Sequence, residues 1–115
     1  MQVDISMNTK LRSSALISYI MRRIESGFDR FESRIRRLRV RVEDINGPRG
    51  GADKQVRLTL SVTPTGTVSV KGVAADTYAA VDQVIERSKH AVARRIAKNR
   101  TSAKKKMKET GRPSR

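Results

Sequence analysis

Cysteine is absent from the 115-residue chain. That excludes disulfides, thiolate metal sites and cysteine nucleophiles together. Histidine occurs once, at His90, so a His-based zinc site is not expected. Tryptophan is missing, and the aromatics are Tyr19, Phe28, Phe31 and Tyr78. Both phenylalanines fall on an apolar helical stripe, which leaves no evident stacking platform of the kind single-strand binders use. No apolar run approaches the roughly 20 residues of a membrane span. Asp4 and Lys10 interrupt any basic-then-apolar signal pattern at the N-terminus. Negative charge is also scarce, with 11 acidic residues against 26 basic ones and a net charge of +15. Hydrophobic residues make up 37%, enough for one small core. These shortages leave a basic, cytoplasmic single domain whose expected partner is a polyanion.

The charge is unevenly placed. Residues 99–115 hold seven basic residues and one acid, a net +6, while 1–98 hold nineteen and ten, a net +9. Ala103 and Met107 are the only apolar residues of the terminal stretch, too few to offset its ordering entropy. A domain over 1–98 followed by a basic tail, disordered when free, is therefore expected.

Gln2-Val3-Asp4-Ile5-Ser6 alternates as a short strand does. Leu16, Ile17, Ile20, Met21, Ile24, Phe28 and Phe31 then recur at helical spacing, with Ser13 or Ser14 as N-cap and Gly27 as a weak point. From Arg37 to Glu43 the period becomes two, with Leu38, Val40 and Val42 on one face. Asn46-Gly47-Pro48-Arg49-Gly50-Gly51 is dense in turn residues, and a second alternating run places Val56, Leu58, Leu60 and Val62 inward. A turn at Pro64-Thr65-Gly66 leads to a third run with Val68 and Val70 inward, which completes an antiparallel meander. Asp76 or Thr77 caps a last helix whose stripe is Tyr78, Val81, Ile85, Val92 and Ile96, joined by Val84 and Ser88. The order predicts an α+β fold, a β-α-β-β-β-α two-layer sandwich with two helices on one face of a four-stranded sheet.

Two basic surfaces follow. Arg37, Arg39 and Arg41 share the open sheet face with Arg57 and Lys71. Such a row serves solubility, yet like charges aligned on a sheet destabilise it, and arginine suits bidentate phosphate contacts. On the last helix, Arg87, His90, Arg94 and Lys98 fall opposite the apolar stripe, flanked by Lys89 and Arg95 and extended by Arg100. The helix dipole favours cations only in the last turn, so it does not account for Arg87 or Lys89.

Catalytic signals are weak. Gly47-Pro48-Arg49-Gly50 has the letters of a KH-domain GXXG loop but lies between strands, and no phosphate-binding P-loop can be read from it. Glu43 and Asp44 are neighbours on opposite strand faces, and His90 lies on the basic outer face, opposite the stripe that carries Ser88, so no enzyme is expected. No cofactor or metal is expected either.

Several stretches carry a resemblance. They are Met1-Gln2-Val3-Asp4-Ile5, the helix pattern Tyr19-Ile20, Arg23-Ile24, Phe28 and Phe31, the strand Arg39-Val40-Arg41-Val42, and Ala75-Asp76-Thr77-Tyr78-Ala79-Ala80-Val81-Asp82 before a basic helix. Over roughly 1–98 the chain resembles the ribosome hibernation-promoting factor and ribosome-associated inhibitor family, also called sigma-54 modulation proteins. The likeness is to a short single-domain form without the dimerising C-terminal domain of long members. It implies a fold similar to a double-stranded-RNA-binding domain. It also implies binding to ribosomal RNA of the small subunit in the mRNA/tRNA channel, and silencing of idle ribosomes. Family RNA contacts come largely from basic helix residues, which map onto Arg22, Arg23, Arg87, Lys89, Arg94, Arg95 and Lys98. A monomer is expected. A general RNA- or DNA-binding protein remains the alternative, and binding to acidic membranes through the tail is a more distant one.

Overall fold

The computed structural model describes residues 1–8, 11–45, 53–64 and 66–110, the last twelve as backbone only. Strand β1 (Gln2–Met7) leads to helix α1 (Ser14–Phe28) and a short 3-10 segment (Asp29–Arg34). Strands β2 (Ile35–Asp44), β3 (Lys54–Val62) and β4 (Thr67–Ala74) follow, then helix α2 (Thr77–Thr110). The sheet order is β1-β2-β3-β4, with β1 parallel to β2 and the other two pairings antiparallel. The expected α+β sandwich and its three-stranded meander are thus present.

Local chemistry sets the boundaries. Ser13, extended at φ −148°, accepts from the Leu16 N–H at 3.0 Å through its hydroxyl and caps α1. Asp76 does the same for α2, its carboxylate accepting from the Ala79 N–H at 3.3 Å. At the base of the β2–β3 hairpin the Ile45 N–H donates to the Asp53 carbonyl at 2.8 Å. The glycine-rich turn expected at 46–51 lies outside the described residues, as does Thr65 of the second turn.

Burial follows the two periods. Leu38, Val40, Val42, Val56, Leu58, Leu60 and Val62 line the inner sheet face beneath Leu16, Ile20, Ile24 and Phe28 of α1 and Val81, Val84, Ile85 and Val92 of α2. Gly27 sits inside α1 where the two helices meet, 3.1 Å from the Ile85 Cγ2 to a Cβ built upon it. Among the described residues the opposite sheet face carries no helix.

Three details depart from expectation. Tyr78, placed on the buried stripe, is 37% exposed, because it lies at the margin of a face whose buried centre is Ala80, Val81, Val84 and Ile85. Its ring meets Tyr19 edge-on instead, at 4.9 Å between centroids and 66°. Phe31 is not in α1: the helix stops at Phe28, and Phe31 packs against the core from the 3-10 segment. The backbone of α2 stays helical to Thr110, past the boundary drawn after Lys98. No helix among the described residues is long and apolar enough to cross a membrane.

Candidate nucleic-acid interface

A cation can engage phosphate only to the extent that its charge is not already matched. The basic residues therefore sort by partner.

Between the helices, Asp82 and Glu86 neutralise the nearest cations. Arg23 Nε lies 3.1 Å from Asp82 Oδ1, and its terminal nitrogen 3.6 Å from Glu86 Oε1. Lys89 Nζ is 3.6 Å from the same Glu86 oxygen. The Tyr19 hydroxyl donates to Asp82 at 2.5 Å, and this bond is the main reason its pKa is raised above the ordinary 10.0. Arg23 thus acts first as a fastener between α1 and α2, while Lys89 pairs with Glu86 one turn away on α2 itself.

Arg87 and Arg95 point the other way. Arg87 donates to the Lys71 carbonyl at 3.0 Å and Arg95 to the Thr67 carbonyl at 3.2 Å, both on β4, the edge strand over which α2 lies. These bonds satisfy an exposed sheet edge. A carbonyl acceptor does not cancel a guanidinium's charge, so both arginines still contribute positive potential. Arg22, Arg94 and Lys98 are exposed and form no ion pair among the described residues. The Arg100 side chain lies outside the described residues. Of the helical cations singled out from the sequence, Arg22, Arg87, Arg94, Arg95 and Lys98 are unmatched by carboxylate among the described residues.

The open sheet face is also basic. Register places Gln2, Arg37 and Ser61 in one cross-strand row, Asp4, Arg39 and Thr59 in the next, and Ser6, Arg41, Arg57 and Lys71 in a third. Arg37 Nε pairs with Asp4 Oδ2 at 3.2 Å, and Arg41 pairs with Glu43. Arg39, Arg57 and Lys71 make no ion pair among the described residues. Glu43 and Asp44 have separate partners, Arg41 and Lys54, as expected of neighbours on opposite strand faces.

Three exposed arginines, Arg12, Arg30 and Arg36, escaped the sequence reading. Arg36 is the extra residue of an irregularity between Ile35 and Arg37, where two steps on β2 match one on β3. Two successive arginines between buried Ile35 and Leu38 break the alternation, and that break was the available signal. Arg30 stands 5.0 Å over the Phe31 ring. It was hidden by reading α1 through Phe31.

Residues 5–100 match a family model described as Sigma 54 modulation protein / S30EA ribosomal protein. Among solved structures, the chain is similar to the Thermus thermophilus Protein Y N-terminal domain, with a TM-score of 0.66 and 22% identity. The match covers 82% of this chain and 98% of that one. It is also similar to a ribosomal subunit interface protein from Coxiella burnetii, with a TM-score of 0.67 and 18% identity, covering 84% of this chain and 99% of the other. At these identities the structural likeness speaks for the fold. No curated protein matches the sequence.

Proposed function

The chain belongs to the Sigma 54 modulation protein / S30EA ribosomal protein family, and from that premise we propose that it is a cytoplasmic, ribosome-associated translation inhibitor. In this reading it binds ribosomal RNA of the small subunit as a monomer and occupies the channel used by mRNA and tRNA, holding ribosomes idle under stress. Residues 1–98 form the binding domain, and the basic stretch 99–115 adds charge to it.

The observation that carries the reading is the set of unmatched cations on the helical side. Arg22, Arg87, Arg94, Arg95 and Lys98 keep their positive charge while the two nearby carboxylates are taken up by Arg23 and Lys89. The mechanism needs no bond making. Cations displace counterions from phosphates, the rigid α1–α2 pair fits RNA by shape, and the bound protein excludes mRNA and tRNA by volume.

Sedimentation with purified small subunits at low salt tests it. Co-migration that is lost as salt rises, and that excess bulk duplex RNA does not reverse, is the expected result. A second reading, a general RNA- or DNA-binding protein, is favoured by the basic sheet face. Equal displacement by bulk duplex and by ribosomes would select it.

A further inference from the structure

The open face of the sheet is basic where the sheet gains nothing from being so. In one row Arg41 stands opposite Arg57, and Arg57 opposite Lys71, three cations across three strands. Like charges directly opposite destabilise a sheet. Elsewhere the same sheet alternates sign, with Asp4 opposite Arg39 and Asp44 opposite Lys54. Of the carboxylates on this face, Asp4 is engaged by Arg37 and Glu43 by Arg41. Arg39, Arg57 and Lys71 are left unmatched among the described residues, and Arg39 and Arg57 line a shallow depression of about 370 Å³ together with Arg41, Asp4, Ser6 and Thr59. Solubility does not call for them in a chain of net charge +15.

We propose that this face is a second phosphate-binding surface for RNA, formed by Arg39, Arg57 and Lys71 with Arg41, and that the protein can hold two RNA segments at once, one on each side. Strand spacing and rise give the patch a span of roughly 10 by 7 Å, which covers about three consecutive phosphates of one strand. The Ser6, Thr59 and Ser69 hydroxyls stand among the cations as further donors. No aromatic side chain lies on the face, so it contacts backbone and not bases. The two surfaces face away from each other across a helix layer and a sheet layer, and they meet at the β4 edge, where Arg87 donates to the Lys71 carbonyl at 3.0 Å. The inference goes beyond the ribosomal reading, since it needs only phosphodiester backbone.

The test uses the full chain and two populations of short RNA duplex, one carrying a donor dye and the other an acceptor. Wild type is expected to bring them together and give energy transfer. Arg39→Ala/Arg57→Ala/Lys71→Ala should abolish the transfer, keep binding of one duplex, and lower the salt slope of RNA affinity by roughly 2–3. Arg22→Ala/Arg94→Ala/Lys98→Ala should abolish transfer as well, since each variant retains one site. Unchanged melting temperatures establish that the variants are folded. Undiminished transfer in the sheet variant, or a wild type that never bridges, would overturn the proposal. So would a sheet variant that loses binding to acidic lipid vesicles but not to RNA. Sedimenting the same variants with small subunits keeps the readings apart: a sheet variant that still co-migrates leaves the ribosomal reading standing whatever the bridging result.

Discussion

Tyr19 and Asp82, 63 positions apart, are joined by a 2.5 Å hydrogen bond that ties α1 to α2. Arg23 reaches the same carboxylate oxygen at 3.1 Å, so one acid serves two donors from the facing helix. Removing it in Asp82→Ala unpairs the Tyr19 hydroxyl, leaves Arg23 only Glu86, and is expected to cost about 1–2 kcal/mol, read as a lower urea midpoint at unchanged slope. The bond also has a pH signature. Because the folded state raises the pKa of Tyr19 above 10.0, the stabilisation is complete below the unfolded value and disappears as pH rises through the folded one. Tyrosinate absorbance should therefore show a phenol ionising late in wild type and moving back toward 10.0 in Asp82→Ala.

Gly72 marks where α2 closes on β4. A Cβ built there would lie 2.8 Å from Val84 Cγ2 and 3.1 Å from Gln83 Oε1. Gly72→Ala should force the helix outward and destabilise by roughly 1–3 kcal/mol. Val84→Ala makes room for the new methyl, so the double variant should lose less than the two single losses combined. Simple additivity in chemical denaturation would refute the contact.

Ser88 points the other way in sign. It is fully buried in the middle of α2, and its hydroxyl has no hydrogen-bond partner among the described residues. Ser88→Ala removes an unsatisfied polar atom without opening a large cavity and puts the best helix former in its place. A gain of about 1 kcal/mol is expected, or a melting temperature higher by roughly 4 °C. A loss would mean that the hydroxyl has a partner in solution.

Much of this was legible in the residues. The alternation in Leu38, Val40 and Val42 and the helical spacing from Leu16 to Phe28 each report which side chains leave water. Ser13 and Asp76 announce helix starts through a local bond to a nearby N–H. What stayed hidden depends on distant pairing. That Arg23 is matched while Arg22 is not follows from an α1–α2 contact 59 residues apart, which no periodicity encodes; the Lys89–Glu86 pair, three residues apart on α2, was within reach of the spacing. Nor did the sequence reveal that Arg87 and Arg95 would cap the β4 edge, because that needs the path of α2 over the sheet. Tyr78 was misplaced because spacing alone does not separate the margin of a helical stripe from its centre, where Ala80 and Val81 are buried.

The partner sorting decides which charge reversals matter for the ribosome. Arg94 and Lys98 are exposed and unmatched, and Arg87 holds only a neutral carbonyl, so Glu at all three positions replaces three attractions by three repulsions on the helical side. On the sheet, Arg37 and Arg41 are already paired with Asp4 and Glu43, which leaves Arg39 unmatched of these three among the described residues. Arg87→Glu/Arg94→Glu/Lys98→Glu should therefore weaken small-subunit binding at least tenfold more than Arg37→Glu/Arg39→Glu/Arg41→Glu. Since each lost phosphate contact removes slightly less than one from the salt exponent, the helix variant should also bind with a slope shallower by roughly 2–3. The sheet row is the harder case structurally, because its reversal strands Asp4 and Glu43 beside new acids, so both variants need matched melting curves before affinities are compared. If the sheet variant loses more ribosome affinity at equal stability, the subunit is gripped by the sheet and the helical surface becomes the second site.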